Sequence, residues 1–253
     1  MEELLISVVM PAYNCERYLD PAVESVLAQS YGAWELLLLD DCSTDGTWER
    51  IQELSQRDPR IRAVQNQRNL GVGATRNLGV SLAQGDWIAF LDSDDLWRPD
   101  KLEKQLALLR DEPQARLLFT ASGFITEEGE PLSYILHVPQ RIARRQLLRQ
   151  NLLSCSSVMV RRELLLQYPF PAKSMMHEDF AVWLQILAEE PFAYGVDEPL
   201  LIYRRSGSSK SANKLKAARM NWNTYRWLGL GLPGSLYYMA WYAAKSLKKY
   251  RNL

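Results

Sequence analysis

Short apolar runs alternate with helical patterns along the first hundred residues. The runs "LLISVVM", "WELLLLD", "IRAV" and "WIAFL" are typical of buried strands. Between them lie segments such as "WERIQELSQR" and "GVGATRNLGVSLAQG", in which apolar residues recur at helical spacing. We predict that the first helix begins at Pro21, with Asp20 as its cap. Strands separated by such helices predict right-handed βαβ crossovers and a mostly parallel sheet flanked by helices.

The alternation weakens after Trp97. "PDKLEKQLALLRDE" and "HEDFAVWLQILAEE" predict helices, and "ARLLFTASGFI" predicts a strand. "FAYGV" and "LLIYRR" predict two short edge strands. No internal repeat or low-complexity linker interrupts this half, so the chain is predicted to be an α/β protein throughout.

Composition narrows the class of protein. The 253 residues are 47% hydrophobic and 24% charged, which indicates a folded chain. Lys plus Arg and Asp plus Glu both number 30, so no overall basic field favours nucleic acid as a partner. The three cysteines are scattered without CxxC spacing, and the acidic N-terminus does not resemble a secretory signal. Together these features predict reduced thiols and a cytoplasmic protein.

Polar groups follow three of the predicted strands at the point where each ends. "PAYN" follows the first strand, "DDCSTD" the second and "DSDD" the fourth. Ligands of open α/β sheets bind beyond the carboxyl ends of the strands, so we expect these segments to line one site. Asp92 and Asp94 suit Mg²⁺, which takes one or two carboxylates and completes its shell with water and phosphate oxygens. A solvated acidic turn that caps the next helix is the alternative, because a bare D-x-D is a weak signal.

Taken in order, "VVMPAYN", "LLLLDDCSTDGT", "NLGVGATRNLG", "WIAFLDSDD" and "MHEDFAVWLQI" resemble the motifs of family 2 glycosyltransferases. The resemblance covers roughly residues 4 to 205. It implies an inverting enzyme of the GT-A (Rossmann-like) fold, of the type that builds bacterial surface polysaccharides. It also implies a nucleotide-sugar half at residues 1–98 and an acceptor half at 99–212. The aromatic and basic residues beyond them predict a helical tail at 213–253.

The resemblance assigns donor-binding roles to five positions. Pro11, Ala12 and Tyr13 would wall the uracil of a UDP-sugar, although Tyr13 also suits a packing aromatic at a turn. Asp41 would accept a hydrogen bond from the uracil N3–H, while its neighbour Asp40 suits an Asx-type turn. Arg76 would face the nucleotide or its phosphates, with a surface helix arginine as the alternative.

The metal and the catalytic base are implied in the same way. Asp94 would ligate Mg²⁺ or Mn²⁺ directly, Asp92 would lie nearer the ribose or reach the metal through water, and Ser93 between them would contact the donor. Asp179 would be the base that deprotonates the acceptor hydroxyl. Glu178 is the rival base, and a helix start enriched in acids for dipole reasons is the alternative to both.

Two segments predict contacts beyond the nucleotide. "YRRSGSSKS" suits a lid in which Arg204 and Lys210 supply countercharge, or else a mobile linker. Residues 227–244 carry no charge, are interrupted by Pro233-Gly234 and are rich in Trp and Tyr, and "KSLKKYR" follows them. This tail predicts two interfacial helices on the inner face of the cell membrane. A hairpin packed on the domain or on a second subunit of a homodimer is the alternative.

The expected function is therefore transfer of a hexose or N-acetylhexosamine from a UDP-sugar to a saccharide acceptor. The tail and the resemblance together suggest an acceptor carried on polyprenyl diphosphate. Two rival functions stay open, namely a catalytically silent nucleotide-binding scaffold and a D-x-D phosphatase. In such phosphatases the motif follows the first strand, whereas here it follows the fourth.

Overall fold

A computed structural model describes residues 4–172, 175–205 and 214–251. Its strands are β1 Ile6–Ala12, β2 Trp34–Asp40, β3 Ile61–Gln65, β4 Trp87–Phe90, β5 Leu96–Trp97, β6 Leu117–Ile125, β7 Pro131–Leu136, β8 Arg141–Ile142, β9 Met159–Arg161 and β10 Ala193–Arg204. Its helices are α1 Glu16–Leu27, α2 Thr47–Arg57, α3 Val72–Leu82, α4 Lys101–Asp111, α5 Arg144–Leu147, α6 Arg162–Gln167, α7 Glu178–Glu189, α8 Lys214–Trp227 and α9 Leu232–Arg251. A 3₁₀ turn spans Cys155–Ser157.

One mixed sheet runs through both halves of the chain, in the order β3-β2-β1-β4-β9-β6-β10-β5. Strands β3, β2, β1 and β4 are parallel, so their carboxyl ends meet at one edge. β9 is antiparallel to both β4 and β6, and β10 is parallel to β6. The α/β, mostly parallel fold predicted for the nucleotide half is confirmed, and the polar segments after β1, β2 and β4 fall at that shared edge.

Both faces of the sheet are buried, which explains why its central strands are continuously apolar. On β1 the side chain of Val9 packs in one hydrophobic cluster, whereas its neighbours Val8 and Met10 pack in the other. This alternation is the two-residue period of a strand. The first cluster extends to α7 through Trp183, so the second half of the chain shares a core with the first half.

The first helix begins earlier than its sequence predicted. α1 begins at Glu16, and Pro21 lies inside it. Asp20 does not cap the helix, because its carboxylate forms an ion pair with Arg50, with 2.7 Å between Oδ1 and Nε. The prediction was wrong because an ion-pair partner thirty residues away is invisible in local sequence.

The two predicted edge strands near residue 200 are a single strand. β10 spans twelve residues, and its pairing with β6 continues across register shifts on both sides of Pro199. It lies inside the sheet between β6 and β5, with β8 paired to its first residues. Pro199 is tolerated at this irregularity, where the ladder is already interrupted.

The tail forms two helices, and α8 packs on the domain. Tyr225 is buried, contacts the Phe180 ring of α7 at 6.1 Å between centroids, and donates a hydrogen bond to Leu148 O at 2.9 Å. On α9, Leu232 and Leu236 are 58% and 61% exposed. Within the described part of the chain, no helix is long and apolar enough to cross a bilayer. The side chains of the basic segment 246–251 lie outside the description.

Candidate active site

A cavity of about 740 Å³ opens at the carboxyl ends of the parallel strands. It gathers residues that are far apart in sequence. The predicted donor and catalytic residues on its wall are Pro11, Tyr13, Arg76, Asp92, Ser93, Asp94 and Asp179. The acidic segment after β4 and the start of α7 therefore line the same cavity.

Asp92 and Asp94 present carboxylates to this cavity from the turn after β4. The Asp92 side chain is 33% exposed and accepts a 2.6 Å hydrogen bond from Arg76. Burial and the neighbouring charge of Asp92 raise the pKa of Asp94 to about 6. Among the described residues, no side chain donates a hydrogen bond to the Asp94 carboxylate. Ser93 lies between the two acids, nearly buried beside Cys15.

Asp95 has a structural role that the sequence did not reveal. Its side chain is buried, where it accepts hydrogen bonds from the Ser156 hydroxyl at 2.6 Å and from the Arg204 backbone N–H at 2.9 Å. Burial and the charges of Asp94 and Asp92 raise its pKa. The Ser156 hydroxyl also accepts a bond from the Asp92 N–H. Ser156 and Arg204 thus fix the acidic turn on the side away from the cavity. Asp95 neither caps α4 nor lines the cavity.

Arg204 completes this anchorage and is not a lid residue. It is 7% exposed, and its guanidinium donates hydrogen bonds to the carbonyl oxygens of Asp94 at 2.9 Å and Glu127 at 3.0 Å. The same group packs over the ring of Tyr18. The lid prediction for Arg204 is therefore wrong, and Lys210 lies outside the described residues.

Arg76 joins the acidic turn after β4 to the start of α7. Its side chain is 4% exposed and lies between Asp92 and Glu178, with N–O distances of 2.6 Å and 3.4 Å. These carboxylates raise the pKa of the guanidinium further, against the effect of burial. It also approaches the Phe170 ring. The guanidinium faces carboxylates, so contact with the donor's phosphates stays a prediction.

The carboxylates of Asp179 and Glu178 differ in their exposure and in their bonding partners. Glu178 is 8% exposed and pairs with Arg76. Asp179 is half-buried, lines the cavity and accepts a hydrogen bond from the Phe180 N–H at 2.7 Å. Burial, then the charge of Glu178, raises the pKa of Asp179. A carboxylate with a raised pKa and access to the cavity suits proton abstraction, and this favours Asp179 over Glu178 as the base.

A second cavity of about 330 Å³ adjoins the first, and its lining suits the nucleobase of a sugar nucleotide. Pro11, Ala12, Tyr13 and Asp41 line it, with Tyr13 49% exposed. Asp41 accepts three backbone and side-chain hydrogen bonds of 2.8 Å, from Asn66, Leu70 and Gly71. A carboxylate has about four acceptor positions, so room for one further donor is small but present. Contact between Asp41 and uracil stays a prediction.

Asp40 has the turn role expected of it. Its carboxylate accepts hydrogen bonds from the Ser43 N–H and from the Gln65 side chain. The bond to a backbone N–H three residues ahead holds the turn after β2. Of the two adjacent acids, only Asp41 therefore lines a cavity.

The acidic turn fits a divalent cation bound through a diphosphate. Asp92 and Asp94 supply two partly buried carboxylates, and within the described structure no side chain donates a hydrogen bond to Asp94. Among the described residues, no cluster of three or more His, Cys, Asp or Glu side chains is arranged to hold a metal. A cation here would therefore take its remaining ligands from water and phosphate. Mg²⁺ prefers such coordination, and Mn²⁺ also binds oxygen ligands of this kind.

Several residues on the cavity wall carried no sequence signal that points to this cavity. Glu127 comes from the turn after β6, Arg149 from the loop after α5, and Tyr242 and Lys245 from α9. Each follows or lies within an ordinary amphipathic or basic segment. Only the long-range packing of β6, α5 and α9 brings them to the cavity, so no local pattern could have identified them.

Comparison with known proteins supports the same interpretation. Residues 7–168 match the family model described as Glycosyl transferase family 2. The chain is 40% identical to the Bacillus subtilis protein named putative teichuronic acid biosynthesis glycosyltransferase TuaG, over 88% of this chain and 87% of that protein. It is 32% identical to WfgD of Escherichia coli, over 99% and 96%. That protein is named UDP-Glc:alpha-D-GlcNAc-diphosphoundecaprenol beta-1,3-glucosyltransferase.

A solved structure shares the fold. The S. aureus TarS structure in complex with UDP-GlcNAc superposes with a TM-score of 0.73 at 21% identity. The match covers 88% of this chain and 64% of that one, which comprises TarS residues 1-349, so this chain spans under two thirds of the matched TarS chain.

Proposed function

The chain belongs to glycosyl transferase family 2, and from this premise we propose that it moves a hexose or N-acetylhexosamine from a UDP-sugar to a lipid-linked saccharide. One observation carries the proposal. Asp92 and Asp94, from the turn after β4, and Asp179, from the start of α7, line the same cavity. An acidic cation site and a separate candidate base beside one space are what transfer from a sugar diphosphate requires.

Mg²⁺ or Mn²⁺, held by Asp94 and by Asp92 directly or through water, would neutralise the charge that develops on the departing UDP. Arg76 holds Asp92 in place through its 2.6 Å contact. Pro11, Ala12 and Tyr13 wall the smaller cavity, where Asp41 would select the pyrimidine. Ser93 lies on the wall between the metal-binding acids and would contact the donor.

Asp179 would take the proton of the acceptor hydroxyl. Its raised pKa makes it a stronger base than an exposed aspartate. Attack from the face opposite the leaving diphosphate inverts the anomeric carbon, so an α-linked donor gives a β-linked product. Because Glu178 is neutralised by Arg76, it is suited to orient the helix start.

The nature of the acceptor rests on the relatives and on the tail. WfgD is named for a sugar linked to diphosphoundecaprenol, and it aligns with 99% of this chain. On α9 the exposed Leu232, Leu236 and Tyr237 lie within five positions and could enter the interfacial region of a bilayer. The three cysteines are free, in keeping with the cytoplasmic side of the membrane. This favours a role in surface-polysaccharide synthesis on the inner face of the membrane.

The test is transfer by the purified protein from a panel of UDP-sugars to a sugar diphosphate lipid, with Mn²⁺ present. The wild type should release UDP in proportion to a β-linked product. Asp179→Asn should lower kcat about 10³-fold and leave the Kd for UDP within about twofold, because only the base is lost. Glu178→Gln is the matched control and should retain most of the rate.

Three results would overturn this proposal. UDP binding without turnover would favour the silent scaffold. Release of inorganic phosphate from phosphate esters would favour the phosphatase. Full activity in Asp179→Asn with loss in Glu178→Gln would transfer the role of base to Glu178.

A further inference from the structure

One wall of the main cavity carries positive charge, in contrast to the wall formed by Asp92 and Asp94. It is built from the loop after α5, from α8 and from α9. The polar residues that it presents include two cations, Arg149 and Lys245, three amides, Gln150, Asn151 and Asn221, and the phenol of Tyr242. None of these residues belongs to the nucleotide half of the fold.

The chain segments that form this wall are free of acids. No Asp or Glu occurs between Glu130 and Glu163, and none follows Glu198. Among the described residues, neither Arg149 nor Lys245 forms an ion pair, although Arg141 in the same basic stretch pairs with Glu112. The buried Nε of Arg149 has no hydrogen-bond partner within the described structure. Positive charge at this wall is therefore left without a protein counterion.

Arg149 is held against α9, the helix that also carries Lys245. The Arg149 guanidinium lies 4.9 Å from the ring centroid of Trp241 and donates a 3.3 Å hydrogen bond to the Tyr237 hydroxyl. Lys245 follows Trp241 by four residues on α9, so it lies one turn further along the same face. Tyr225 ties α8 to Leu148, next to Arg149. The wall is thus braced by contacts between three elements.

We propose that Arg149 and Lys245 bind the pyrophosphate of the acceptor, an inference that rests on the proposed transferase function. The donor diphosphate is expected at Asp92 and Asp94, whose charge requires a cation. An anion that needs no metal is bound instead by guanidinium and ammonium groups, through charge-assisted hydrogen bonds. When a sugar is attached directly to a diphosphate, its reacting hydroxyl lies one ring away from the anion. Asp179 lines the same cavity of about 740 Å³ as this wall, so an acceptor bound here would have its sugar on the side of the candidate base.

This placement gives α9 two tasks. Its inner face carries Tyr242 and Lys245 toward the cavity, while Leu232 and Leu236 are exposed. A polyprenyl diphosphate has the same division, because a charged head is joined to an apolar chain. The tail would therefore recognise the head of the acceptor in addition to any contact with its lipid.

Kinetics of charge-neutral variants test the proposal in the working enzyme. Arg149→Gln and Lys245→Gln should each raise the KM for a diphosphate-linked acceptor about tenfold or more, the usual effect of losing a hydrogen bond to a charged group. The KM for the UDP-sugar and the KM for an uncharged alkyl glycoside of the same sugar should not change. Arg145→Gln is the matched control, since Arg145 is exposed on α5 and does not line the cavity. An equal rise for charged and uncharged acceptors would overturn the proposal.

Direct binding separates this proposal from the transferase assignment. Geranyl pyrophosphate titrated in EDTA reports an anion site that works without metal or turnover. The wild type and Arg145→Gln should bind it equally, the Arg149→Gln/Lys245→Gln variant should lose at least tenfold in affinity, and geraniol should not compete. Absence of binding to the wild type, or equal binding to the double variant, would refute the site. Failure of every UDP-sugar to react, with this binding intact, would instead refute the transferase function alone.

Discussion

Arg76 is the residue on which the arrangement of the acidic site depends most. It is 4% exposed and pairs with Asp92 on one side and Glu178 on the other. The sequence offered only an arginine in a helix, because neither partner lies near it along the chain. The pairing links the turn after β4 to the start of α7, and hence the donor side of the cavity to the base.

Arg76→Met should destabilise the protein strongly. Removing one partner of a buried ion pair leaves the other charge uncompensated, which costs roughly 3 kcal/mol of the free energy of unfolding when one carboxylate is partly exposed. Arg57→Met is the matched control, because Arg57 and its partner Glu24 are both about half exposed, at 49% and 51%, and such pairs contribute at most about 1 kcal/mol. Urea denaturation measures both. Equal losses in the two variants would show that Arg76 is no more than a surface charge.

Asp179 should reduce stability at neutral pH. A carboxyl whose pKa is raised in the folded state binds its proton more tightly there than in the unfolded chain, so its ionisation favours unfolding. Asp179→Asn should therefore be more stable than the wild type at pH 7. The difference should shrink as the pH falls toward the ordinary pKa of 3.8. The titratable groups that face Asp179 are Glu178 and His177 beside it, Arg76 on α3, Cys155 in the 3₁₀ turn and Tyr203 on β10.

Thermal denaturation of both proteins across pH 4 to 8 measures this effect. A variant that is less stable than the wild type at pH 7 would contradict the raised pKa. Asp179→Asn is also the variant expected to lose turnover. Measuring both properties in it therefore separates the effect of the carboxylate on kcat from its effect on the free energy of unfolding.

Among individual residues, those at strand ends were predictable and those that brace them were not. Asp92, Asp94 and Tyr13 follow apolar runs, and the location of binding sites in α/β sheets brings them to one edge. The burial of Asp95 against Ser156 and Arg204 depends on contacts across 61 and 109 positions of sequence. No local pattern carries such information.

At the level of elements, the close approach of α3 to the sheet positions Arg76. Gly79 lies one turn after Arg76, and a Cβ there would be 2.5 Å from Val9 Cγ1 and 3.2 Å from Leu39 Cδ1. Both neighbours are buried on β1 and β2. A glycine at this position allows the helix to lie against the strands, so that the guanidinium reaches Asp92.

Gly79→Ala should move α3 away from the sheet. Overpacking costs about 1–3 kcal/mol, and the better helix propensity of alanine offsets at most about 1 kcal/mol of this. We expect a net loss of stability together with a lower kcat, because Arg76 is displaced with its helix. Gly32→Ala is the control, since no heavy atom lies within 4 Å of its Cβ position, and its stability should change by about 0.5 kcal/mol or less. Unchanged melting and turnover in Gly79→Ala would contradict this account of helix placement.

The elements of the first half follow from hydrophobic periodicity, and those of the second half follow from it less well. Strands β1 to β4 and helices α2 and α3 occur where the apolar runs and helical spacings predicted them. The sequence predicts two strands where β10 is one, because Asp197, Glu198 and Pro199 resemble a turn. In the sheet this segment is an irregularity within a continuous strand that pairs with β6 and β5. Pairing partners supplied by the whole sheet override the local signal.

In the whole molecule, the parallel strands provide one wall of the cavity and the tail provides the other. Carboxylates are concentrated at the strand ends and at the start of α7, whereas the wall formed by the loop after α5 and by α9 contributes cations. A net charge of zero therefore conceals a strong separation of charge inside the site. The fold class was predictable from sequence, but this separation depends on how the tail packs.

The exposed leucines of α9 should mediate contact with a bilayer. Leu232→Ser/Leu236→Ser removes two apolar side chains and should weaken co-sedimentation with anionic vesicles about tenfold or more, because each buried leucine contributes at least about 1.5 kcal/mol. The control is Leu166→Ser, a leucine 56% exposed on α6, away from the tail. Unchanged vesicle binding by the α9 variant would contradict membrane contact. A change from dimer to monomer in light scattering would identify this face as a subunit interface instead.

The central claim is that Asp92 and Asp94 bind a sugar nucleotide through a divalent cation, and titration calorimetry with UDP tests it most directly. The wild type should bind UDP in Mn²⁺. EDTA should weaken binding by about 100-fold, because two carboxylates then face the diphosphate without the cation, and Asp94→Asn should weaken it to a similar degree because the cation loses a direct ligand. UDP affinity that is the same with Mn²⁺, with EDTA and in Asp94→Asn would contradict the claim.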